Sequence, residues 1–496
     1  MIDSKFKSIL HIIIGCLFSL SIITILLSIT CFNSIQNINK VNIDILILII
    51  GIIIFIFFSY LIICFVNPKN NKMIYLISII VFITQLLFIY NYFFYTGWDA
   101  DYIYQFSSHM AHKDYVYDVS YFSMCPNNLF LVFIYKYLIL LIHNIGFHGY
   151  EHAFLIVVNV VLSNLAGILL YKSVNKLFNK SSYAYLAYFI YLLLVLLSPW
   201  ISIPYSDTLA LIFPISMFYI YISYSNNLKY FFISLISLIA YNLKPQSFVF
   251  FIVFIIFYFF DLISGKIKKI SLLFTILGIL LSFLITNYGI NNIKEQTSEY
   301  ESIIKSEDRF GIAHYLMMGL NNNGGTYNYD DVIFSSSFDS KKQRDIANYQ
   351  EAIKRLKTIN LPIHIIKKTL INYNDGSFAW GKEGNFYKEI VDKKNNTLSP
   401  FLRNIYYDTG KYNNIFSSVV YGIWILTLIC CGFSLKGVNK EKDMLMLSFF
   451  GLFLFVTLFE ARARYLFSNV PLIIILAIYG LDNIYNKVNK KDKYFD

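Results

Sequence analysis

Runs of about 20 apolar residues recur along most of the chain, and they constrain its fold more than any other feature. A helix of that length is what crosses about 30 Å of hydrocarbon. Of the 496 residues, 57% are hydrophobic and only 14% are charged, whereas soluble proteins carry roughly 25% charged residues. The sequence therefore predicts an all-α polytopic membrane protein.

The apolar runs predict twelve spans, and an even number places both termini on one side of the membrane. The first run, from Ile9 to Thr30, is long and has no small-residue cleavage site, so we expect an uncleaved span and not a signal peptide. The spans are expected at residues 8–31, 43–66, 73–95, 152–171, 183–199, 206–224, 228–241, 246–262, 269–287, 416–435, 443–460 and 466–482.

The lysines give the expected orientation. If the apolar stretch 127–145 is left out of the span count, the Lys-rich loops and tails fall on one side and hold 18 of the 41 basic residues. Because basic residues concentrate in cytoplasmic loops, both termini are expected in the cytoplasm. The stretch 127–145, which contains Lys136 and His143, is then expected to lie in the outer leaflet or to dip into it.

Four regions follow from this topology. Two extra N-terminal helices (1–70) precede a main membrane module (71–287) with an outer loop (96–151). An α-rich extracytoplasmic insert (288–415) is followed by C-terminal helices with a basic cytoplasmic tail (416–496). The insert holds 17 basic and 15 acidic residues, which is typical of a nearly neutral folded domain. Its patterning predicts helices at 341–358 and 362–373 and a loop at 321–325.

Two carboxylates stand where the third predicted span ends, at Asp99 and Asp101 beside Trp98. A carboxylate at the bilayer rim, among apolar neighbours and without a partner, has a raised pKa and can act as a general base. The alternative is an ordinary interfacial loop in which Trp98 belongs to the aromatic belt.

More polar residues gather on the same predicted face. An acid near a helix N-terminus is favoured by the helix dipole, and arginine grips phosphate oxygens with two parallel hydrogen bonds. The alternatives are a simple helix cap, a snorkelling lysine and a self-contained surface ion pair. The polar residues on this predicted face are Asp207 after two prolines, Lys244 in a break between spans, and Glu460, Arg462 and Arg464 between the last two spans.

Weaker candidates concern substrate contacts and metal binding. Trp98, Asn127, His314, Trp380 and Glu460 are expected to contact acceptor or substrate. His109 and His112 have an i, i+3 spacing that suits one metal ion, but no third ligand stands at a convincing spacing, so no metal site is predicted. The six cysteines predict no disulfide framework, and only Cys125 stands in a polar loop.

The order and placement of these residues resemble the GT-C superfamily of polyprenyl-phosphate-sugar glycosyltransferases, which includes protein O-mannosyltransferases and aminoarabinose transferases. The likeness covers about residues 73–482 and is nearest to Gram-positive integral membrane proteins of this type. It rests on Gly97-Trp98-Asp99, Cys125-Pro-Asn-Asn128, Asp207, Lys244-Pro245 and Glu460…Arg464-Tyr465.

The resemblance implies roles for three of these residues. Asp99 matches the catalytic carboxylate of the first outer loop, Asp207 the acidic position of the second, and Arg464 a position near the lipid phosphate. The second loop has a lone aspartate instead of Asp-x-Asp, so no divalent metal is implied. Cys125-Pro126 replaces a lysine common in the first loop, and Lys113, Lys136 or Lys244 would have to supply that cation.

The expected function is an inverting transfer of a sugar from a polyprenyl-phosphate donor to a hydroxyl of a cell-envelope polymer, glycolipid or exported protein. Asp99 would accept the proton, and Arg464, Arg462 and Lys244 would stabilise the phosphate. We expect no cofactor and no nucleic acid partner, only the donor, the acceptor and membrane lipids. The alternatives are a transporter or flippase for lipid-linked sugars, a polysaccharide polymerase or ligase, and a non-catalytic scaffold.

Overall fold

The computed structural model describes residues 2–32, 43–66, 72–113, 119–299, 304–305, 308–384, 386–391 and 397–492. Within these residues the chain forms 21 α-helices and one sheet of two short strands. The prediction of an all-α polytopic membrane protein is confirmed.

The N-terminal part contains the first long apolar helices and the polar segment that follows the third. The Asp44 carboxylate accepts hydrogen bonds from the amides of Leu46 and Ile47 and so caps the second helix. The elements are α1 (Ile2–Phe32), α2 (Ile45–Phe65), α3 (Met73–Tyr92), β1 (Phe94–Thr96), α4 (Trp98–His112), α5 (Ser120–Met124), α6 (Leu129–Asn144) and α7 (Glu151–Phe178).

The middle part is a set of closely packed apolar helices with short breaks. Gly278 shows how close the packing is, because a Cβ at this position would stand 2.4 Å from the carbonyl oxygen of Phe231 on a neighbouring helix. Small residues at helix contacts allow such an approach in membranes. The elements are α8 (Ser181–Tyr191), α9 (Ser206–Leu209), α10 (Ile212–Ser223), α11 (Leu228–Leu243), α12 (Val249–Ile263) and α13 (Ile270–Glu299).

The C-terminal part holds the insert and the last long helices. The helices predicted at 341–358 and 362–373 are present with nearly the predicted bounds, and 321–325 is a loop. The elements are α14 (Ile312–Gly319), α15 (Tyr329–Ser336), α16 (Lys341–Thr358), α17 (Leu361–Tyr373), β2 (Tyr387–Ile390), α18 (Leu398–Tyr406), α19 (Asn413–Gly432), α20 (Lys440–Leu458) and α21 (Val470–Asp492).

Ten helical segments of the described chain are long and apolar enough to cross a membrane. Nine of them coincide with predicted spans. The predicted spans at 183–199 and 228–241 are the shorter apolar helices Ser181–Leu196 and Leu228–Leu243, and the span at 443–460 is α20, whose first turn holds four charged residues. Because α13 continues to Glu299, a helix runs through the boundary predicted at residue 288.

The tenth segment, Pro126–Asn144, is the stretch that the sequence analysis places in the outer leaflet instead of across the bilayer. It packs on the C-terminal part of α13, where Gly289 lies against Phe130. Lys136, on the same helix, donates a 2.6 Å hydrogen bond to Gln296. Gly289 and Gln296 both lie in the last 11 residues of α13.

The insert is fastened to the membrane helices at two places that matter for the site. β1 pairs antiparallel with β2, and the Gly97 amide donates a 2.7 Å hydrogen bond to the Phe386 carbonyl. At the second place the Ala461 amide donates to the Gly325 carbonyl of the insert at 2.8 Å, and Lys368 of the insert donates to the Phe459 carbonyl. The start of α4 and the loop between α20 and α21 are therefore both held by the insert.

Candidate functional site

Five of the side chains singled out in the sequence converge on one side of the helix bundle, facing the insert. Three chain breaks bring them there, since each break lies between two membrane helices. Asp207 stands in the first turn of α9, Lys244 lies between α11 and α12, and Glu460, Arg462 and Arg464 lie between α20 and α21.

Asp207 is the centre of this cluster. Its Oδ1 lies 2.7 Å from the Lys244 ammonium, and its Oδ2 lies 3.2 Å from Nη1 of Arg464. The three residues are 1%, 6% and 3% exposed. Because charges this deeply buried need close partners, Asp207 serves as a counter-ion for two cations and is more than a helix cap.

Glu383, a residue of the insert, links the two arginines. Its Oε2 lies 2.8 Å from Nε of Arg464 and 3.1 Å from Nη1 of Arg462. Arg462 also pairs with Glu460 at 2.6 Å, and the Tyr465 hydroxyl donates to Glu460 at 2.8 Å. Three cations thus alternate with three carboxylates in one continuous charge network.

Aromatic rings surround the cations of this network. The guanidinium carbon of Arg464 lies 4.7 Å from the ring centre of Trp98 and 5.3 Å from that of Tyr205. The Lys244 ammonium lies 5.2 Å from the ring centre of Tyr205 and 4.9 Å from that of Tyr465. Aromatic faces attract desolvated cations, so the rings help to hold these charges in place.

Trp98 reaches its position through an unusual backbone conformation. Its φ is 55°, in the left-handed region that bulky residues rarely adopt, and such a conformation costs about 1–3 kcal/mol. Its buried indole N–H meets no acceptor among the described residues. A strained aromatic residue with an unused donor is typical of a ligand-binding position.

Asp99 follows Trp98 in the first turn of α4 and is half-buried. No hydrogen bond or ion pair holds its carboxylate within the part of the chain that the structure describes. Its negative charge nevertheless acts on its neighbours. Burial, and after it the charge of Asp99, raise the pKa of Cys125 to about 12. The same two causes raise the pKa of Tyr205 and of Tyr327. Asp99 is therefore an uncompensated carboxylate beside a balanced charge network.

Asp101 has a different environment. Its carboxylate lies 2.6 Å from the ammonium of Lys388 in β2 and accepts a hydrogen bond from Gln105. Because α4 is helical, two residues turn the side chain by about 200°, away from Asp99. Asp99, and not Asp101, is among the charges that raise the pKa of Tyr205, whose ring lies against Lys244 and Arg464.

The pKa of Glu460 lies below its ordinary value for a specific reason. Burial alone would raise it, but the charge of Arg462, with hydrogen bonds from Arg462 and Tyr465, more than offsets this effect. Glu460 is therefore an anion at neutral pH, so it is not a proton donor, and it is a weak base while Arg462 stays in place.

The remaining candidates lie outside the network. Asn127 is exposed, whereas its buried neighbour Asn128 donates to the Tyr121 hydroxyl at 2.6 Å. His314 is buried within the insert, 2.7 Å from the Ser335 hydroxyl. Trp380 is 1% exposed and donates to the Tyr406 carbonyl. The last two are buried and form part of the packing around the site.

Sequence reasoning missed several residues of the site. Glu383 lies three residues after Trp380, which was predicted to contact substrate, and Tyr205 and Tyr465 lie within two residues of Asp207 and Arg464. Tyr315 and Tyr327 come from the insert, and the pKa of each is raised by burial and by Asp99, among other charges. A search for aromatic neighbours of the flagged charges finds the first two tyrosines; nothing local marks the others.

Comparison with protein-family models shows the family to which the chain belongs. A family model described as "conserved hypothetical integral membrane protein" matches residues 2–485, which is nearly the whole chain. A search of curated proteins finds no match. The matched range includes the whole charge network, nine of the ten apolar segments and all but the last two residues of the tenth. The chain therefore belongs to this family of conserved integral membrane proteins.

Proposed function

We propose that the protein is a GT-C-like membrane glycosyltransferase that acts at the outer face of the membrane. It moves a sugar from a polyprenyl-phosphate donor to a hydroxyl of a cell-envelope polymer, glycolipid or exported protein. The acceptor hydroxyl attacks the anomeric carbon, the bond to the phosphate oxygen breaks, and the configuration at that carbon inverts. Asp99 takes the proton of the attacking hydroxyl, and the phosphate leaves as an anion.

One observation carries this proposal: Asp99, which has no ion pair or hydrogen bond among the described residues, acts on Tyr205, whose ring lies against the buried cations Lys244 and Arg464. Within the described chain no ion pair or hydrogen bond holds the Asp99 carboxylate, whereas Asp207 and Glu460 are each held by two groups of the network. A base and a set of preorganised cations at adjacent positions are what a displacement with an anionic leaving group requires.

The pairing of the arginines suggests where the donor phosphate binds. A single carboxylate oxygen of Glu383 bridges Arg462 and Arg464. A phosphate oxygen is also an anionic acceptor of N–H hydrogen bonds. The phosphate group can in addition bind the guanidinium N–H groups that are not paired with Glu383. In this proposal the donor phosphate replaces Glu383 between the two arginines.

The position of the charges favours a transferase over a transporter. A transporter for a charged substrate needs ionisable groups near the middle of its spans. Lys244, Glu460 and Arg462 instead stand in breaks between helices, and Asp207 and Arg464 stand within the first two residues of the segments Ser206–Ser223 and Ala463–Lys487. This placement suits a donor whose prenyl tail stays in lipid while its phosphate lies at head-group depth.

The function is tested by comparing lipid extracts from cells with and without the gene. Loss of one glycan, together with accumulation of a polyprenyl-phosphate sugar, supports the transferase. Purified protein in liposomes should then release polyprenyl phosphate from that donor only when the acceptor is added. Movement of the intact donor between leaflets without release would support a flippase, and unchanged lipids in both strains would contradict the proposal.

Lys244 predicts a pH dependence for phosphate binding. Burial lowers the pKa of Lys244 from 10.5 to about 8, although Asp207 opposes this shift. The ammonium is therefore present below pH 8 and is lost above it. We expect the affinity for polyprenyl phosphate to fall as the pH rises through about 8, and Lys244→Arg to remove this fall because arginine stays protonated. Binding to the purified protein from pH 6.5 to 9.5 measures the effect.

A second buried lysine provides the control for this experiment. Burial lowers the pKa of Lys368 to about 7, but its contacts are the carbonyls of Gly319 and Phe459. Lys368→Arg should therefore leave the fall near pH 8 in place. Deprotonation of Lys244 does not unfold the protein, so unfolding does not explain a loss of phosphate affinity at alkaline pH. A lysine whose pKa is lower in the folded state than in the unfolded state makes the folded state more stable as the pH rises from 8 to 10.5. An unchanged fall in Lys244→Arg would exclude Lys244 from the phosphate site.

A further inference from the structure

Away from the charge network, four side chains with metal-binding atoms meet where α4, α6 and α7 come together. One ligand atom from each of His112, His143 and Glu151 lies within 4.8 Å of the others. His148 lies beside this group, with its Nδ1 at 2.9 Å from Nδ1 of His143. His143 Nδ1 lies 3.8 Å from the Glu151 carboxylate. The sequence spacing of His109 and His112 gives no third ligand, but the fold brings His143 and Glu151 to His112 and places His148 against His143.

The turn between α6 and α7 explains how the chain builds this cluster. Gly146 and Gly149 have φ values of 96° and 80°, which favour glycine, and no atom lies within 4 Å of a Cβ at either position. The two glycines reverse the chain within a few residues. His148 is thereby folded back onto His143, and Glu151 begins α7 beside them.

The spacing of the ligand atoms fits a small metal ion. Zinc binds histidine nitrogen and carboxylate oxygen at about 2.0–2.2 Å in a tetrahedron, so two ligand atoms stand roughly 3.3–3.5 Å apart. The distances of 2.9 Å and 3.8 Å around His143 bracket this range. The set of three imidazoles and one carboxylate is a common ligand type for zinc and its neighbours in the first transition row.

The charge of Glu151 gives a second argument that does not depend on spacing. Glu151 is 8% exposed, and within the described chain its one ion-pair partner is a histidine, which is charged only when protonated. Buried carboxylates usually pair with a cation or coordinate a metal. The contact between two Nδ1 atoms also requires one of them to be protonated, whereas a metal ion lets both present lone pairs.

We propose that His112, His143 and Glu151 bind one divalent transition-metal ion, with Zn²⁺ as the favoured ion, and that the exposed His148 beside His143 supplies the fourth ligand. A zinc ion with four protein ligands is structural. It lies about 20 Å from Asp99, because 13 residues of α4 separate Asp99 from His112 at 1.5 Å per residue. The ion ties the end of α4 to α6 and α7, and it thereby braces the helix that carries Asp99 and Trp98.

Metal analysis of the purified protein tests this site without any activity assay. The protein, freed of any histidine tag, is stripped with a chelator, loaded with ZnCl₂ at micromolar concentration, and desalted. We expect one zinc per chain and a higher melting temperature than in the stripped protein. The exposed His148 is the first residue to change, and His148→Ala should weaken zinc binding by about tenfold or more in competition with a chelating dye.

Two further variants make the result specific. His109→Ala changes the neighbouring histidine on α4 and should keep one zinc per chain, whereas the pair His112→Ala with His148→Ala should keep none. Each variant is compared only if it elutes as a single peak in size-exclusion chromatography. Folded wild-type protein that holds no zinc after loading would overturn the proposal, as would full zinc content in the double variant.

Discussion

Replacing Asp99 with asparagine should lower the rate of sugar transfer by about 10²- to 10⁴-fold, the usual cost of losing a general base. The amide keeps the shape of the carboxylate but cannot accept the proton of the attacking hydroxyl. Because Asp99 has no ion pair within the described chain and is only half-buried, its removal should leave the fold intact. Glycan output at equal protein abundance in the membrane, together with the release of polyprenyl phosphate in liposomes, measures the effect.

Asp101→Asn is the matched control. It makes the same chemical change two residues along the same helix, where the carboxylate pairs with Lys388 and turns away from the charge network. Its transfer rate should stay within a few fold of the wild-type rate. An inactive Asp101→Asn beside an active Asp99→Asn would move the base to Asp101, and two active variants would remove the base from this segment.

The membrane architecture and the position of the site could be predicted from the sequence for one physical reason. Charged side chains cannot remain within lipid, so charges that interrupt apolar runs must lie at span ends or in protected clefts. Asp207, Lys244 and Arg464 were predicted on these grounds, and the structure brings all three into contact. The order of the breaks along the chain was enough to place them on one face.

The partners within the site could not be predicted, because they depend on tertiary packing. Glu383 reaches Arg462 and Arg464 only because the insert folds back against the helix ends, and no local sequence pattern fixes that orientation. The sequence Gly-Trp-Asp likewise does not predict the positive φ of Trp98. The histidine cluster joins residues from α4, α6 and α7, so the spacing along any one helix does not reveal it.

A second large effect is expected for stability when Asp207 is changed. Asp207→Asn removes the anion that lies between Lys244 and Arg464, and all three residues are more than nine-tenths buried. Leaving a buried charge without its partner costs about 3–5 kcal/mol. We expect a loss of this size in the free energy of unfolding, measured by denaturant titration in mixed micelles, and a lower abundance in cells.

The exposed pair of Asp101 and Lys388 is the reference for this measurement. Their side chains are 22% and 50% exposed, and pairs of this kind contribute about 0–1 kcal/mol. Asp101→Asn should therefore change the free energy of unfolding far less than Asp207→Asn. Equal losses of unfolding free energy in the two variants would mean that burial does not increase the contribution of the Asp207 ion pairs to stability.

A double variant separates the loss of a partner from the loss of the ion pair. Asp207→Asn is expected to destabilise the protein because it leaves Lys244 as an unpaired buried cation. Adding Lys244→Met should then restore much of the lost stability, because Arg464 still has Glu383 as a partner. Replacing a buried ion pair with apolar groups is often neutral for folding. The same double variant should bind polyprenyl phosphate more weakly than the wild type, because one cation of the proposed phosphate site is gone. A double variant that regains stability and also binds polyprenyl phosphate normally would confine the Asp207–Lys244 pair to a structural role and leave the arginines alone as the phosphate ligands.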